Sequence, residues 1–398
     1  MEKQTESGWE DESMGFFEHW QFFFCLIVLL IPAVILGTME KPLKHYSMGV
    51  SLFFIACIVG PETAQLVYLI LFFILEWGVI RAFLVLYKQY GRDETTYHLT
   101  IVISLLPLVI SKLQPFIGLD IFCFVGISYI TFKVVQILIE IYDGVIDRVG
   151  FYEYAAFLLF FPTLSSGPID RSRRFLEDWN HIYDKEAYLQ LCTSGIIRLL
   201  GGYIYKTILA GRCYMYLIDA ADKSGLLNEI RYAYLYGLYL FFDFAGYSLM
   251  AVGTSYVLGI RTPDNFNMPF LSRDIREFWD RWHISLSHWF RDFIFTRFVM
   301  RCKKKKWFHT KLQRANAGFL VNMFVMGVWH GLNVSYLLYG LYHGALLALT
   351  ETYQKKSGFY KQYKDTGWYQ IVSWAVTMQL YMFGFYIFSG RWLEWIPN

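Results

Sequence analysis

The sequence predicts an all-α polytopic membrane protein with about ten to eleven transmembrane helices and additional re-entrant or interfacial helices. Apolar residues make up 56% of its 398 positions and charged residues only 17%, and the apolar positions fall into long runs separated by short charged loops. Soluble domains average about 45–50% apolar and 25% charged; counting glycine instead of tyrosine exchanges 30 residues for 30 and leaves the contrast intact. Aromatic residues reach 20%, which suits many spans ending in Trp and Tyr at headgroup level. A net charge of +3 gives no broad basic field and argues against nucleic acid as the main partner. The six cysteines are scattered without a CxxC pair, which reads as apolar packing rather than a disulfide framework or zinc site.

A spanning helix needs about 20 mostly apolar residues, fewer where the bilayer thins. The stretches that qualify run from Trp20 to Thr38, Tyr46 to Val59, Thr63 to Leu86, Tyr97 to Ile110, Phe116 to Ile141, Ala187 to Ile218, Tyr232 to Gly259, Asn316 to Trp329, Val334 to Thr350 and Tyr369 to Phe388. Phe151 to Leu164 is too short to cross and contains Pro162, while Asn267 to Met300 mixes aromatics and charges too densely for lipid; re-entrant or interfacial helices are expected in both. The chain thus divides into an acidic tail (1–19), a single transmembrane domain (20–390) with its motif-bearing core at about 120–350, and a short C-terminal tail (391–398). Residues 1–18 carry six acids and one lysine, unlike the basic start of a cleaved signal peptide, so the first span is expected to remain as an anchor.

Lys and Arg in alternate loops set orientation. The loops after the first, third, fifth, seventh and ninth spans hold 26 of the 36 basic residues, against 5 on the other side and 5 within spans. The 26 mark the cytosolic side, so the expected localisation is the cell membrane, multi-pass, with the N-terminus extracellular. The loop from Arg261 to Arg314 alone holds 13 and includes Lys303, Lys304, Lys305 and Lys306. It either rests against anionic lipids or forms a docking surface for an acidic cytosolic partner. Val299, Met300 and Trp307 offer an apolar contact beside it.

Ionisable residues inside apolar runs mark helix pairing or a polar passage. Here they are Glu76, Arg81, Lys133, Glu140, Arg198, Lys206 and Asp243. Asp243 sits among small residues that permit close helix approach, and it either anchors Lys206 or Arg198 or meets a cationic substrate group. Three further segments are richer than packing requires. Pro162-Thr163-Leu164-Ser165-Ser166-Gly167-Pro168 breaks a helix at the edge of an apolar run, which lipid tolerates only where protein or a watery cavity covers the backbone. Between Arg276 and Asp292, helical spacing places Trp279, His283 and Phe290 on one face and Arg276, Asp280, Ser287 and Arg291 on another. Val328-Trp329-His330-Gly331 puts a histidine at the end of an apolar run, as a packing group or a proton-transfer group. Neither an HExxH motif nor a GxSxG elbow accompanies them, so no metal site and no nucleophilic serine are read.

In this order the segments resemble the membrane-bound O-acyltransferase (MBOAT) family, and most closely its DltB branch, which transfers D-alanine in Gram-positive bacteria. The resemblance rests on Ser166-Gly167-Pro168-Ile169-Asp170-Arg171, Phe242-Asp243-Phe244-Ala245-Gly246-Tyr247-Ser248, Asn265-Phe266 with Pro269-Phe270, Arg273-Asp274 with Glu277-Phe278-Trp279, Arg281-Trp282-His283-Ile284-Ser285-Leu286-Ser287, and Met326-Gly327 with Trp329-His330-Gly331. It implies an O-acyltransferase in which a ring of helices surrounds a thin centre, with an outward funnel meeting a tunnel from the cytosol. His330 falls on the family's required histidine and His283 on its second one; Trp279, Trp282, Ser285, Trp329, Asp243 and Ser166 would line the passage. This chain would bind no cofactor of its own. The carrier protein DltC would bring D-alanine as a phosphopantetheine thioester, DltD would act on the extracellular side, a small membrane peptide, DltX, is a candidate immediate acceptor, and lipoteichoic acid is the final one. Acetyl transfer to an exopolysaccharide is the alternative, followed by a transporter or scaffold.

Overall fold

A computed structural model describes residues 15–395. In chain order its helices are α1 (Trp20–Thr38), α2 (Lys44–Val59), α3 (Thr63–Tyr90), α4 (Glu94–Ile117), α5 (Ile127–Tyr142), α6 (Phe151–Leu159), α7 (Ser172–Asn180), α8 (Lys185–Tyr203), α9 (Gly211–Ala221), α10 (Leu226–Val257), α11 (Ile275–Arg281), α12 (Ile284–Phe290), α13 (Thr296–Lys305), α14 (Lys311–His330), α15 (Val334–Lys356), α16 (Gly358–Tyr363) and α17 (Gly367–Ser389). Five of them, α1, α3, α4, α10 and α17, are long and apolar enough to cross a bilayer, and α2 is a shorter apolar helix. Along α1 the exposed side chains Phe24, Ile27, Val28, Ile31 and Ile35 form one stripe at helical spacing. A stripe of that kind faces lipid in a chain of this composition.

Polar caps close several of the helices. Asp93, Asp184 and Asp274 each accept a backbone N–H from the first turn, and Thr310 forms a reciprocal box with Gln313. These side chains take over donors that a helix start leaves unsatisfied. All four lie on the face that carries the basic loops. Ion pairs knit that face together: Arg92 and Arg297 both reach Asp143, Lys304 reaches Glu94 at 2.9 Å, and Arg261 reaches Asp178 at 3.4 Å.

α5 is the central helix. Every residue from Tyr129 to Tyr142 is buried, with Ile130, Val134, Ile137 and Ile141 packing into a core shared with α1–α3 and α6–α8. Tyr129, Phe132, Val135 and Ile139 pack into a second core built by α11, α12, α14, α15 and α17. With 16 residues, at about 1.5 Å each, α5 is shorter than the roughly 30 Å hydrocarbon thickness. The protein is therefore thin at its middle.

Two helix crossings are lined by glycines. A Cβ at Gly195 would lie 2.7 Å from the Gly253 carbonyl, and one at Gly202 2.6 Å from that of Gly246, so α8 and α10 touch backbone to backbone. Likewise a Cβ at Gly340 of α15 would come 3.1 Å from Gly327 Cα of α14. Gly340→Leu should overpack this crossing and lower stability by about 1–3 kcal/mol, measured as an earlier thermal transition in detergent. An unchanged transition would count against this packing.

Several expectations need correction. Phe116 to Ile141 is not one helix: α4 runs to Ile117 and α5 starts at Ile127, because Gly118 and Gly126 both adopt positive φ and break the run. Residues Arg276 to Asp292 do not form one helix either, since α11 and α12 are separated at Trp282 and His283. Residues 1–14 of the acidic tail and 396–398 of the C-terminal tail lie outside the described residues. At the other end of the acidic tail, Phe16 and Phe17 are buried in the core rather than free. In the C-terminal segment Arg391 is paired with Glu229 at 3.3 Å.

Candidate active site

The proline- and serine-rich segment forms the expected re-entrant hairpin. α6 enters from the basic face, the chain turns through Phe161–Thr163, and α7 returns to the same face, where Arg174 binds Asp170, Asp178 and the Arg261 carbonyl. Lys133 of α5 ties the hairpin down. It is 1% exposed and donates to the Phe157 carbonyl at 2.9 Å and Thr163 Oγ1 at 3.0 Å. A buried ammonium requires such acceptors, so Lys133 serves structure. The same holds for Glu76, bonded by Ser104 at 2.8 Å, and Glu140, bonded by Ser172 at 2.9 Å.

His283 occupies the break between α11 and α12 with φ 45° and ψ 52°, a left-handed conformation uncommon for histidine. The surroundings hold it there. Phe266 pairs with Trp282 through an antiparallel bridge, Ile284 N–H donates to the Asn265 carbonyl at 2.9 Å, and Ser285 donates through N–H and Oγ to Asn265 Oδ1 at 3.2 and 2.6 Å. From the hairpin, Ile169 N–H donates to Ser285 Oγ at 2.9 Å. The imidazole is 4% exposed, stands edge-on to Phe244 with ring centroids 4.6 Å apart, and its Nε2 has no partner among the described residues.

His330 ends α14 and is half-buried. Trp329, Tyr336, Tyr339 and Phe388 surround its ring, at centroid separations of 4.7, 5.9, 6.1 and 5.0 Å. Lys112 Nζ of α4 lies 3.4 Å from its backbone carbonyl. Tyr129 stands between His283 and Trp329, the residue before His330, its ring being 6.4 Å from that of His283 and 6.1 Å from that of Trp329. Water has little access to a site walled by so many rings, which favours transfer over hydrolysis.

A cavity opens on each face, one bordered by Trp279 and the other by Phe244, the ring that packs on His283. On the basic face, a cavity of about 360 Å³ is lined by Arg276, Trp279, Asp280, Ser287, Arg291, Val299 and Asn322, among others. The four polar residues expected on one helical face therefore do converge, although from α11, α12 and the π-helical turn Arg291–Phe295 that follows. Trp279 faces His343, to whose Nδ1 it donates at 3.3 Å, instead of sharing a face with His283. On the opposite face a cavity of about 390 Å³ is lined by Ser165, Ser166, Lys206, Asp243, Phe244, Tyr247 and Glu18, among others. Lys206 and Asp243 are paired at 2.7 Å, so Asp243 anchors a lysine; Arg198 instead meets Asp264 at 3.4 Å. Lys206 lies within the π-helical turn Ile204–Ala210 that joins α8 to α9.

Trp282 does not line a passage, because Phe266, Phe278 and Phe385 enclose it with ring centroids 4.8–5.6 Å away. Ser285 acts through the Asn265 bonds. Trp329 covers His330 on one side and borders a lateral apolar cavity on the other. In the basic loop, Met300 and Trp307 are exposed and Lys303, Lys304 and Lys305 end α13; Lys306 forms its left-handed cap. The Lys304 ammonium holds the Glu94 carboxylate below its usual range. Stability from this pair is present above the normal carboxylate pKa and is lost as pH falls through the lowered value. The sequence singles out none of Tyr129, Tyr339 and Lys112: the tyrosines sit in apolar runs without a distinguishing neighbour, and Lys112 falls in the short gap between two expected spans.

The model of the MBOAT, membrane-bound O-acyltransferase, family matches residues 53–389. A teichoic acid D-alanyltransferase of Bacillus subtilis is 40% identical over 382 residues, covering 93% of this chain and 96% of the relative. One from Streptococcus thermophilus is 36% identical over 391 residues, covering 93% of each. A probable alginate O-acetylase of Pseudomonas aeruginosa is 30% identical over 291 residues, covering 71% of this chain and 52% of the relative. With a family match that spans both histidines and relatives similar over nearly the whole length, this chain belongs to the membrane-bound O-acyltransferase family.

Proposed function

We propose that this acyltransferase D-alanylates teichoic acid, taking the acyl group from a phosphopantetheine thioester at its basic face and delivering it to a hydroxyl at the opposite face. The observation that carries this reading is the similarity to teichoic acid D-alanyltransferases over 93% of the chain and nearly the whole of each relative. The alginate O-acetylase similarity stops at about half of the relative's length. The basic face is cytosolic by its excess of Lys and Arg, which makes the N-terminus extracellular. The carrier DltC docks on α13, and the arm of its thioester enters the cavity bordered by Arg276, Arg291 and Asn322. DltD and the peptide DltX meet the protein on the outer side, and lipoteichoic acid receives the D-alanine.

Thioesters are already activated, so the step needs a base for the acceptor hydroxyl and alignment of the reactants. His330 is the base. Half-buried at a helix end, it is open to an acceptor, and a neutral imidazole has one ring nitrogen free to take a proton. His283, held in its turn on the other side of Tyr129, orients the thioester. Purified protein in liposomes, supplied with radiolabelled D-alanyl carrier, should lose label from the carrier and gain it on the acceptor. Label that moves only from an acetyl donor would support exopolysaccharide acetylation instead.

Docking has its own test. Complementary charge is screened by salt over a Debye length of about 10 Å at 0.1 M. Carrier binding should therefore weaken on raising salt, and also in a Lys303→Glu, Lys305→Glu, Lys306→Glu triple variant, which spares the Lys304 pair with Glu94. Salt-independent affinity would move the contact to Val299, Met300 and Trp307.

A further inference from the structure

We infer that Asn265 is a catalytic hydrogen-bond donor to the carbonyl oxygen of the acyl group, acting beside His283; the inference rests on the acyl-transfer reading above. Asn265 is 1% exposed. Its amide orientation is fixed by its neighbours: the Ser285 backbone N–H can only donate, so the atom 3.2 Å away must be the carbonyl oxygen Oδ1, and Ser285 Oγ lies 2.6 Å from the same atom. This leaves the amide nitrogen Nδ2 on the other side, with two hydrogens, buried and without an acceptor among the described residues. His283 Nε2, two residues before Ser285, is also buried and without a partner. Buried polar atoms are nearly always satisfied, and two such atoms beside one strained turn are explained by an acceptor that arrives with the substrate.

A thioester carbonyl is such an acceptor, and its demand for donors grows during the reaction. The acceptor oxygen forms a C–O bond to the acyl carbon as its proton passes to His330, which shifts the carbonyl π electrons onto oxygen. Collapse of that oxyanion breaks the C–S bond, and the proton held by His330 goes to the departing thiolate. Donors that are already in place where negative charge develops need no reorganisation at that moment. Asn265 is suited to this, because the Ser285 bonds and the Ile284 bond to its own carbonyl fix both its backbone and its side chain.

Asn265→Asp tests the assignment, since it retains an Oδ1 for Ser285 and replaces the donor by an oxygen. At pH 8, in the reconstituted assay, kcat should fall by about 10²- to 10³-fold, the usual effect of losing one oxyanion donor, while carrier affinity stays at its wild-type value and the thermal transition, lowered by the buried carboxylate, still lies above the assay temperature. Ser285→Ala removes the Oγ bond to Asn265 and the acceptor of the Ile169 N–H but leaves the Nδ2 donor, and should lower kcat less than Asn265→Asp does. The inference is overturned if Asn265→Asp keeps near-wild-type kcat, or if both variants lose the same activity together with thermal stability, which would make Asn265 a clamp only. Wild-type transfer is measured first: its absence counts against the D-alanyl reading itself, whereas wild-type transfer with an active Asn265→Asp counts against Asn265 alone.

Discussion

Replacing His330 by alanine should lower acyl transfer by about 10²- to 10⁴-fold, the range a positioned general base contributes. Membrane abundance and the thermal transition should change little. The side chain is half-buried and held by ring contacts with Trp329, Tyr336, Tyr339 and Phe388 instead of by a buried hydrogen bond, so its removal leaves no orphaned buried partner. Its backbone carbonyl, which faces Lys112 at 3.4 Å, remains in the variant. His283→Ala should behave differently. That residue sits in a left-handed turn inside the core, and alanine there loses both a reactant-orienting group and the packing against Phe244. The two variants therefore separate on a plot of activity against stability. A His330→Ala protein with wild-type transfer would exclude the base assignment, and one that aggregates would make His330 a packing residue.

Where residue chemistry is periodic or costly, the sequence already discloses the architecture. The first span agrees with α1 at both ends, because Trp20 opens an unbroken apolar run and Glu40 and Lys41 follow it. The hairpin was legible from prolines and hydroxyls that lipid would not accept, and the Lys206–Asp243 pair from the cost of lone charges in a span. The break at His283 was not legible. No glycine or proline marks it, and the turn is imposed from outside by Asn265 and the hairpin residue Ile169. Tyr129 and Tyr339 escape for a related reason: aromatic residues in an apolar run look like packing until the fold shows which ring faces a histidine. The roles proposed for His283 and His330 come from the motifs around them.

Lys133→Met should destabilise the protein by about 1–3 kcal/mol, the range for a buried acceptor left without its donor. Activity should fall with it. Two effects compete here. Methionine has nearly the same reach and avoids burying a charge, and replacing a buried ion by an apolar group is sometimes neutral. That outcome requires the former partners to be satisfied elsewhere. Thr163 has a second bond, donating to the Phe160 carbonyl at 3.3 Å. The Phe157 carbonyl lies in the last turn of α6, where intrahelical donors run out, so the loss of the ammonium at 2.9 Å leaves it bare in the core. Because the same hairpin supplies Ile169 to Ser285, loosening it also releases one restraint on the His283 turn. Thermal unfolding in detergent measures the first effect, and the reconstituted transfer assay the second. A lysine lining a polar passage for a transported solute would give the opposite pattern, an unchanged thermal transition with altered flux, and that result would return Lys133 to a functional role and revive the transporter alternative.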